Sequence, residues 1–91
     1  MLTVEQGREA LRLDTEDNDE IIAGLLAAIP AYIELATGLT AEQQEEQPLA
    51  DTASRFILIL WYNAERADAE KLQRTIDSLL KALALVALKK E

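Results

Sequence analysis

The stretch Ser54-Arg55-Phe56-Ile57-Leu58-Ile59-Leu60-Trp61-Tyr62 decides the fold of this chain, because its seven consecutive apolar residues suit either a buried strand or a buried helix. The flanking sequence favours the helix, since alanine is the strongest helix former and occurs on both sides of the run, at Ala50, Ala53, Ala64 and Ala67. No other segment is predicted as a strand that could pair with it. A helix that is apolar all round is typically surrounded by other helices. This helix is therefore predicted to lie at the centre of the core.

Two helices are predicted on the N-terminal side of the central one. Thr3 and Gln6 have the spacing of a capping box, which begins a helix of about two turns. An acidic run then suits the start of a longer helix, with Asn18 or a neighbouring aspartate as N-cap, and Gly38 suits its end. Apolar residues at three- and four-residue spacing predict that this second helix covers about 19–37: Ile22, Leu25, Leu26, Ile29, Ile33 and Ala36.

Pro30 lies inside the second predicted helix. A proline removes one backbone hydrogen bond and crowds the carbonyl four residues earlier. The helix is therefore expected to kink near Ala27 or to break there.

The remaining segments complete the predicted architecture. The polar and acidic stretch between Gly38 and Pro48 favours a solvated connector, and apolar periodicity predicts a last helix over 69–88. The fold class is therefore all-α, a compact bundle of about four helices in a single domain over residues 1–91. It comprises a short N-terminal helix, a long second helix kinked near Pro30, a buried central helix and an apolar C-terminal helix. The predicted core contains Leu25, Ile29, Phe56, Leu60, Leu72, Ile76 and Leu79.

The composition argues against an enzyme. The sequence contains no cysteine and no histidine, which removes disulfides, the usual zinc ligands and imidazole acid-base catalysis. The acidic run 14–20 fails as a calcium loop, because Asp19 stands where a glycine is needed and Leu25 where a bidentate glutamate is needed. Hydroxyl and carboxylate pairs such as Ser54 with Asp51 lack an activating base. We expect no catalytic residue, no metal site and no cofactor.

The charge is negative and unevenly distributed. The formal net charge is -8, which argues against a protein that binds the phosphates of nucleic acid. Residues 1–46 contain eleven acids and two bases, hence -9, whereas residues 47–91 contain six acids and seven bases, hence +1. The N-terminus lacks the pattern of a signal peptide, and no apolar run approaches the roughly 18 residues of a membrane span. We expect an intracellular protein without a membrane segment.

The C-terminal helix predicts an interface. Residues 79–88 carry one charged side chain, Lys81, and are apolar around nearly the whole circumference, which is more than a subunit of this size can cover. A leucine-rich tail that merely frays is the alternative. Trp61 and Tyr62 are adjacent, hence about 100° apart on a helix, so one of them could also reach an interface. The candidate subunit or partner interface contains Trp61, Tyr62, Leu83, Leu85, Val86 and Leu88.

The order of several short motifs also resembles a known family. The first half contains Leu2-Thr3-Val4-Glu5, Leu11-Arg12-Leu13-Asp14, Asp19-Glu20-Ile21-Ile22, Tyr32-Ile33-Glu34 and Thr37-Gly38. The second half contains Pro48-Leu49, Trp61-Tyr62-Asn63, Glu65-Arg66 and Ile76-Asp77-Ser78-Leu79-Leu80. Over nearly its whole length the chain resembles the tailed-phage head-tail connector family, the head-completion adaptors beneath the portal. It departs from that pattern at Pro30, at Ala64-Glu65 and in the extended 82–88 tail.

This resemblance implies a helical, non-enzymatic structural protein of a phage or prophage. Such a subunit is expected to assemble as a homo-oligomeric ring and to join the portal protein on one side and tail or stopper proteins on the other. DNA would pass through the channel without sequence-specific binding. The expected location is the head-tail junction of the virion, and the cytoplasm of the bacterial host during assembly or as a prophage product.

Two other functions are compatible with the residues. A small acidic regulatory or inhibitor protein could bind a basic partner through residues 42–46 or 14–20. Lys81, Lys89 and Lys90 also permit a helix over 79–90 that lies on a membrane surface. So few bases on an acidic protein support this function only weakly.

Overall fold

Five helices make up most of the chain that the computed structural model describes, residues 1–65 and 67–89. They are α1 (Val4–Leu11), α2 (Asp19–Thr37), α3 (Ala41–Glu45), α4 (Pro48–Tyr62) and α5 (Ala69–Lys89). No strand occurs among these described residues, and the all-α prediction is confirmed. The four predicted helices correspond to α1, α2, α4 and α5, and α3 is an additional helix within the predicted connector.

Local signals set the ends of the first two helices. The Gln6 amide donates to Thr3 Oγ1 at 3.1 Å, and the Thr3 amide donates to Gln6 Oε1 at 2.9 Å, which completes the predicted capping box. The longer helix ends at Gly38, whose φ of 87° lies in the left-handed region that glycine adopts at low cost. The Gly38 amide donates to the Glu34 carbonyl at 2.8 Å. Both predicted boundaries are therefore found in the structure.

The helix α2 continues through Pro30, so of the two expected outcomes near Ala27, a kink or a break, the break does not occur. Proline has no amide proton to donate to the carbonyl of Leu26, four residues earlier. On the other side of the same turn, Gln44 from α3 donates its Nε2 to the Pro30 carbonyl at 2.9 Å. The helix is thus unbroken across the proline and makes a polar contact with the following segment there.

The core lies where α2, α4 and α5 meet, since each of these helices packs against the other two. Its largest fully buried side chains are Ile22, Ile29, Ile33, Leu39, Ile57, Leu58, Ile76 and Leu83. Of the predicted core residues, Ile29 and Ile76 are fully buried. Five others only border this cluster and remain partly exposed: Leu25, Phe56, Leu60, Leu72 and Leu79. The central helix is therefore turned so that Ile57 and Leu58, rather than Phe56 and Leu60, face inward.

The segment between α2 and α4 belongs partly to the core, contrary to the prediction of a solvated connector. Leu39 is completely buried, and Gln44 is 8% exposed. Gln44 Nε2 also donates to the Leu39 carbonyl at 2.9 Å, and the Leu39 amide donates to Thr37 Oγ1 at 3.1 Å. Because these polar groups pair with one another, the turn can be buried at little cost.

Replacing Gln44 tests the importance of this buried turn. We expect Gln44→Glu to lower the free energy of unfolding by about 1–3 kcal/mol, because a carboxylate of the same shape cannot donate to the carbonyls of Pro30 and Leu39. Chemical denaturation provides the measurement, with Glu42→Gln as the control at an exposed position of the same helix. Equal stability of the two variants would show that the Gln44 hydrogen bonds contribute nothing.

The helix α2 is also long and apolar enough to cross a membrane by length and composition alone. The expectation that no apolar run approaches this length is therefore wrong. Within the fold, Ile22, Leu26, Ile29 and Ile33 use that apolar character to build the core. Leu25 and Tyr32 pack against the edge of that core, and Ile21 and Leu35 are exposed.

Candidate interaction surfaces

The outer side of α5 presents a continuous surface, here called the C-terminal face. It consists of exposed residues at alternating three- and four-residue spacing: Lys71, Arg74, Ser78, Lys81, Leu85 and Leu88. Such spacing places side chains along one side of a helix. Leu85 is 61% exposed and Leu88 is 68% exposed, so the face ends in an apolar pair.

The predicted interface residues divide into exposed and buried ones. Leu85 and Leu88 lie on the surface, as an interface requires. Leu83 is completely buried in the core of its own subunit, which corrects its assignment to the interface. Val86 is half-buried and packs against the same core. The helical period explains the difference, because Leu83 follows Ile76 and Leu80 on the inner side of α5.

The C-terminal face is positively charged. Lys71, Arg74 and Lys81 lie on it, and Lys89 follows Leu88. None of these four bases forms an ion pair within the described part of the chain. Their charges are therefore available to an acidic partner surface.

The aromatic pair at the end of α4 makes contacts within the subunit. The ring of Trp61 meets the ring of Tyr32 edge to face, with centroids 5.3 Å apart and an interplanar angle of 71°. Tyr62 Oη accepts a hydrogen bond of 2.6 Å from Asn18 Nδ2. Trp61 and Tyr62 therefore connect α4 to α2 and to the turn before it, and each keeps part of its surface exposed.

A second exposed apolar surface, here called the α2 face, was not recognised in the sequence. It consists of Ile21, Gly24, Ala28, Ala31 and Leu35, all exposed and again at alternating three- and four-residue spacing. Ile21 is 58% exposed and Leu35 is 89% exposed. The spacing was visible in the sequence, but the stronger apolar pattern of the buried side of the same helix concealed it.

The two acidic segments proposed for a basic partner differ in how far their charges are compensated. Near residues 42–46, a cleft of about 440 Å³ lies between α3, α4 and the N-terminus. There the terminal ammonium of Met1 contacts Glu45, and Asp51 accepts from Arg55 at 3.1 Å. In the segment 14–20, Asp19 pairs with Arg8 at 3.1 Å, whereas Asp14, Glu16, Asp17 and Glu20 are exposed.

None of these acids forms a metal-binding cluster. Over residues 1–65 and 67–89, no group of three or more acidic side chains lies close enough together to hold a metal ion. The surfaces of the described chain thus offer shape, apolar area and charge for association.

Comparisons of the chain with protein-family models, with curated proteins and with solved structures gave no match.

Proposed function

We propose that this chain is a head-tail connector of a tailed phage or prophage. In this role it is a structural subunit without enzymatic activity, built as one domain around the four main helices α1, α2, α4 and α5. Copies form a ring beneath the portal protein, and the ring receives the tail or a stopper protein on its other side. The motif order described above supports this assignment.

The exposed end of α5 is the observation that carries the proposal of assembly. Leu85 and Leu88 are large apolar side chains that the fold leaves in solvent, on a helix that also exposes four bases. Exposed apolar patches on a small protein mark interaction sites. The rest of the chain is acidic, so one copy offers both signs of charge to its neighbours.

The net charge sets the conditions for assembly. Each copy carries a formal -8, so bringing many copies together costs electrostatic energy. Salt screens such repulsion over about 8 Å at physiological strength. Moderate salt is therefore expected to assist association, and the acidic surface of a ring would repel DNA and let it slide through a channel.

Replacing Leu85 and Leu88 together by aspartate tests the proposed assembly. We expect the double variant to lose self-association and portal binding, because two charges replace the apolar pair that contacts the neighbour. Light scattering across protein and salt concentrations measures self-association, and co-purification with the portal protein of the same genome measures portal binding. Leu49→Asp with Thr52→Asp is the matched control, since it adds the same charge at exposed positions of α4.

Unchanged association and portal binding in the Leu85 and Leu88 variant would show that the end of α5 is a passive tail. Electron microscopy of the assembled wild-type protein tests the ring itself, which is expected to be closed and to have a central channel. The position of the gene between capsid and tail genes would further support the connector role.

The exposed acids of segment 14–20 favour a second candidate, a small regulatory protein that binds a basic partner. Asp14, Glu16 and Asp17 form no ion pair among the described residues. Under this alternative, replacing these three acids by their amides abolishes binding to the partner, whereas the Leu85 and Leu88 variant retains it. Under the connector proposal, the aspartate variant of α5 has the larger effect.

A further inference from the structure

Two helices of this subunit each expose large apolar residues on their outer sides, Ile21 and Leu35 on α2 and Leu85 and Leu88 on α5, that no described part of the subunit covers. The α2 face has Ile21 and Leu35 at its ends and small residues between them. A side chain added at Gly24 would meet no atom within 4 Å, so the middle of this face is open. Small side chains let a second helix approach closely, and a large side chain of that helix can fill the space above them.

The charges beside the two faces have opposite signs. Glu20 and Glu34 are exposed and each directly precedes a large apolar residue of the α2 face, Ile21 and Leu35 respectively. They are fourteen residues apart, which is nearly four helical turns, so both lie along the same edge. The C-terminal face instead carries Lys71, Arg74 and Lys81, which outnumber the exposed acids directly preceding residues of this face, Glu70 and Asp77, so it is net positive.

These charges distinguish between the possible pairings of copies. Contact between two α2 faces brings only acidic side chains together, and contact between two C-terminal faces brings two net positive surfaces together. Contact between an α2 face and a C-terminal face places acids beside bases. Like charges in contact oppose association, whereas complementary charges favour it and fix the pairing.

We propose that the α2 face of one subunit is the docking site for the C-terminal face of the next copy. This inference rests on the self-assembly that the proposed function requires, and it names the surface that receives the end of α5. Both faces have the same repeat, and the spans 21–35 and 74–88 have equal length. Aligning these spans in either direction places Ala28 opposite Lys81 at the centre of the contact.

The same alignment brings Leu85 opposite Gly24 if the helices run antiparallel, and opposite Tyr32, beside Ala31, if they run parallel. Leu88 then meets Ile21 or Leu35 at the end of the contact. In the antiparallel arrangement leucine lies above glycine, one end of the contact is apolar and Arg74 lies at the other end, so the close approach of the two helices is centred on Leu85 and Leu88. Each subunit thus has one face that docks, the C-terminal face, and one face that receives it, the α2 face. Contacts of this kind are head to tail and generate closed rings or filaments.

Disulfide trapping tests the pairing directly, because the natural sequence contains no cysteine. The experiment mixes full-length Ala28→Cys with full-length Lys81→Cys, one of them carrying a tag that separates the two by size. Each chain has one cysteine, so no bond can form within a chain. Both positions are exposed, and the substitutions leave the core intact. Trapping under mild oxidation also captures transient contacts, so no portal template is needed.

We expect the disulfide-linked dimer of Ala28→Cys with Lys81→Cys to form about tenfold faster than the dimer of Ala28→Cys with Thr52→Cys. A tenfold preference corresponds to about 1.4 kcal/mol of favourable contact. The control residue Thr52 is exposed on α4 and belongs to neither face. Incubation of each variant alone is expected to give little dimer, since like faces do not pair.

The outcomes separate this inference from the proposed function. Rapid dimers of Ala28→Cys alone would show that α2 pairs with α2, and rapid dimers of Lys81→Cys alone would show that α5 pairs with α5. Either result overturns the proposed docking site. Association by light scattering without the mixed cross-link overturns the docking site and leaves assembly intact. Absence of both association and cross-link overturns both.

Discussion

Leu58→Ala is expected to lower the free energy of unfolding by about 2–5 kcal/mol, a large part of the stability of a domain of this size. Leu58 is completely buried on the inner side of α4. Truncation to alanine removes apolar contacts and leaves a cavity that the helices on either side fill incompletely. Urea unfolding followed by circular dichroism gives the free energy and shows whether the transition remains cooperative.

Two less buried leucines serve as comparisons for this result. Leu60 is half-buried at the edge of the core, so Leu60→Ala is expected to cost less than Leu58→Ala. Leu35 is 89% exposed, and its replacement by alanine is expected to change the stability of the isolated subunit by about 0.5 kcal/mol or less. If Leu60→Ala cost as much as Leu58→Ala, the orientation of α4 described above would be wrong.

Gly7→Ala is expected to destabilise the protein even though alanine favours helix over glycine by about 1 kcal/mol. A Cβ atom at Gly7 would lie 2.8 Å from Ile22 Cγ2 and 3.3 Å from Leu58 Cδ2, whereas carbon atoms normally approach to about 3.5–4.0 Å. Ile22 is buried and β-branched, so its methyl group has little freedom to move away. Overpacking of this kind costs about 1–3 kcal/mol, which over most of that range exceeds the gain in helix propensity.

Gly24→Ala is the matched control, because this glycine also lies inside a helix but faces open space. Here the gain in helix propensity is unopposed, and we expect thermal and chemical denaturation to show stabilisation by about 1 kcal/mol. The two variants therefore differ in sign. Stabilisation by Gly7→Ala would show that α1 packs less closely on α2 and α4 than the structure indicates.

The helix boundaries could be predicted because they depend on local residues. Thr3 and Gln6 form their capping box with each other, and Gly38 ends α2 through its own backbone conformation. These signals act over a few residues and do not require knowledge of the tertiary fold. The orientation of α4 is different, because a helix with apolar residues on every side has no periodicity that identifies its inner face.

The features that were missed depend on contacts distant in sequence. Leu39 stands alone in a polar segment, and its burial follows from the position of α3 against α2 and α4. The α2 face was missed because α2 is apolar on two sides, and periodicity identifies only the stronger one. Of the candidate interface, Leu85 and Leu88 were identified as surface residues, whereas Leu83 was included although it is buried in the core of its own subunit.

The contact between Trp61 and Tyr32 provides the protein with an internal optical probe. The sequence contains one tryptophan, and its ring lies between α4 and α2, against a tyrosine that can transfer excitation energy to it. Separation of these helices changes both the polarity around the indole and that transfer. Trp61 belongs to neither the α2 face nor the C-terminal face. Its fluorescence should therefore report unfolding of the subunit without any added dye, while scattering reports assembly in the same sample.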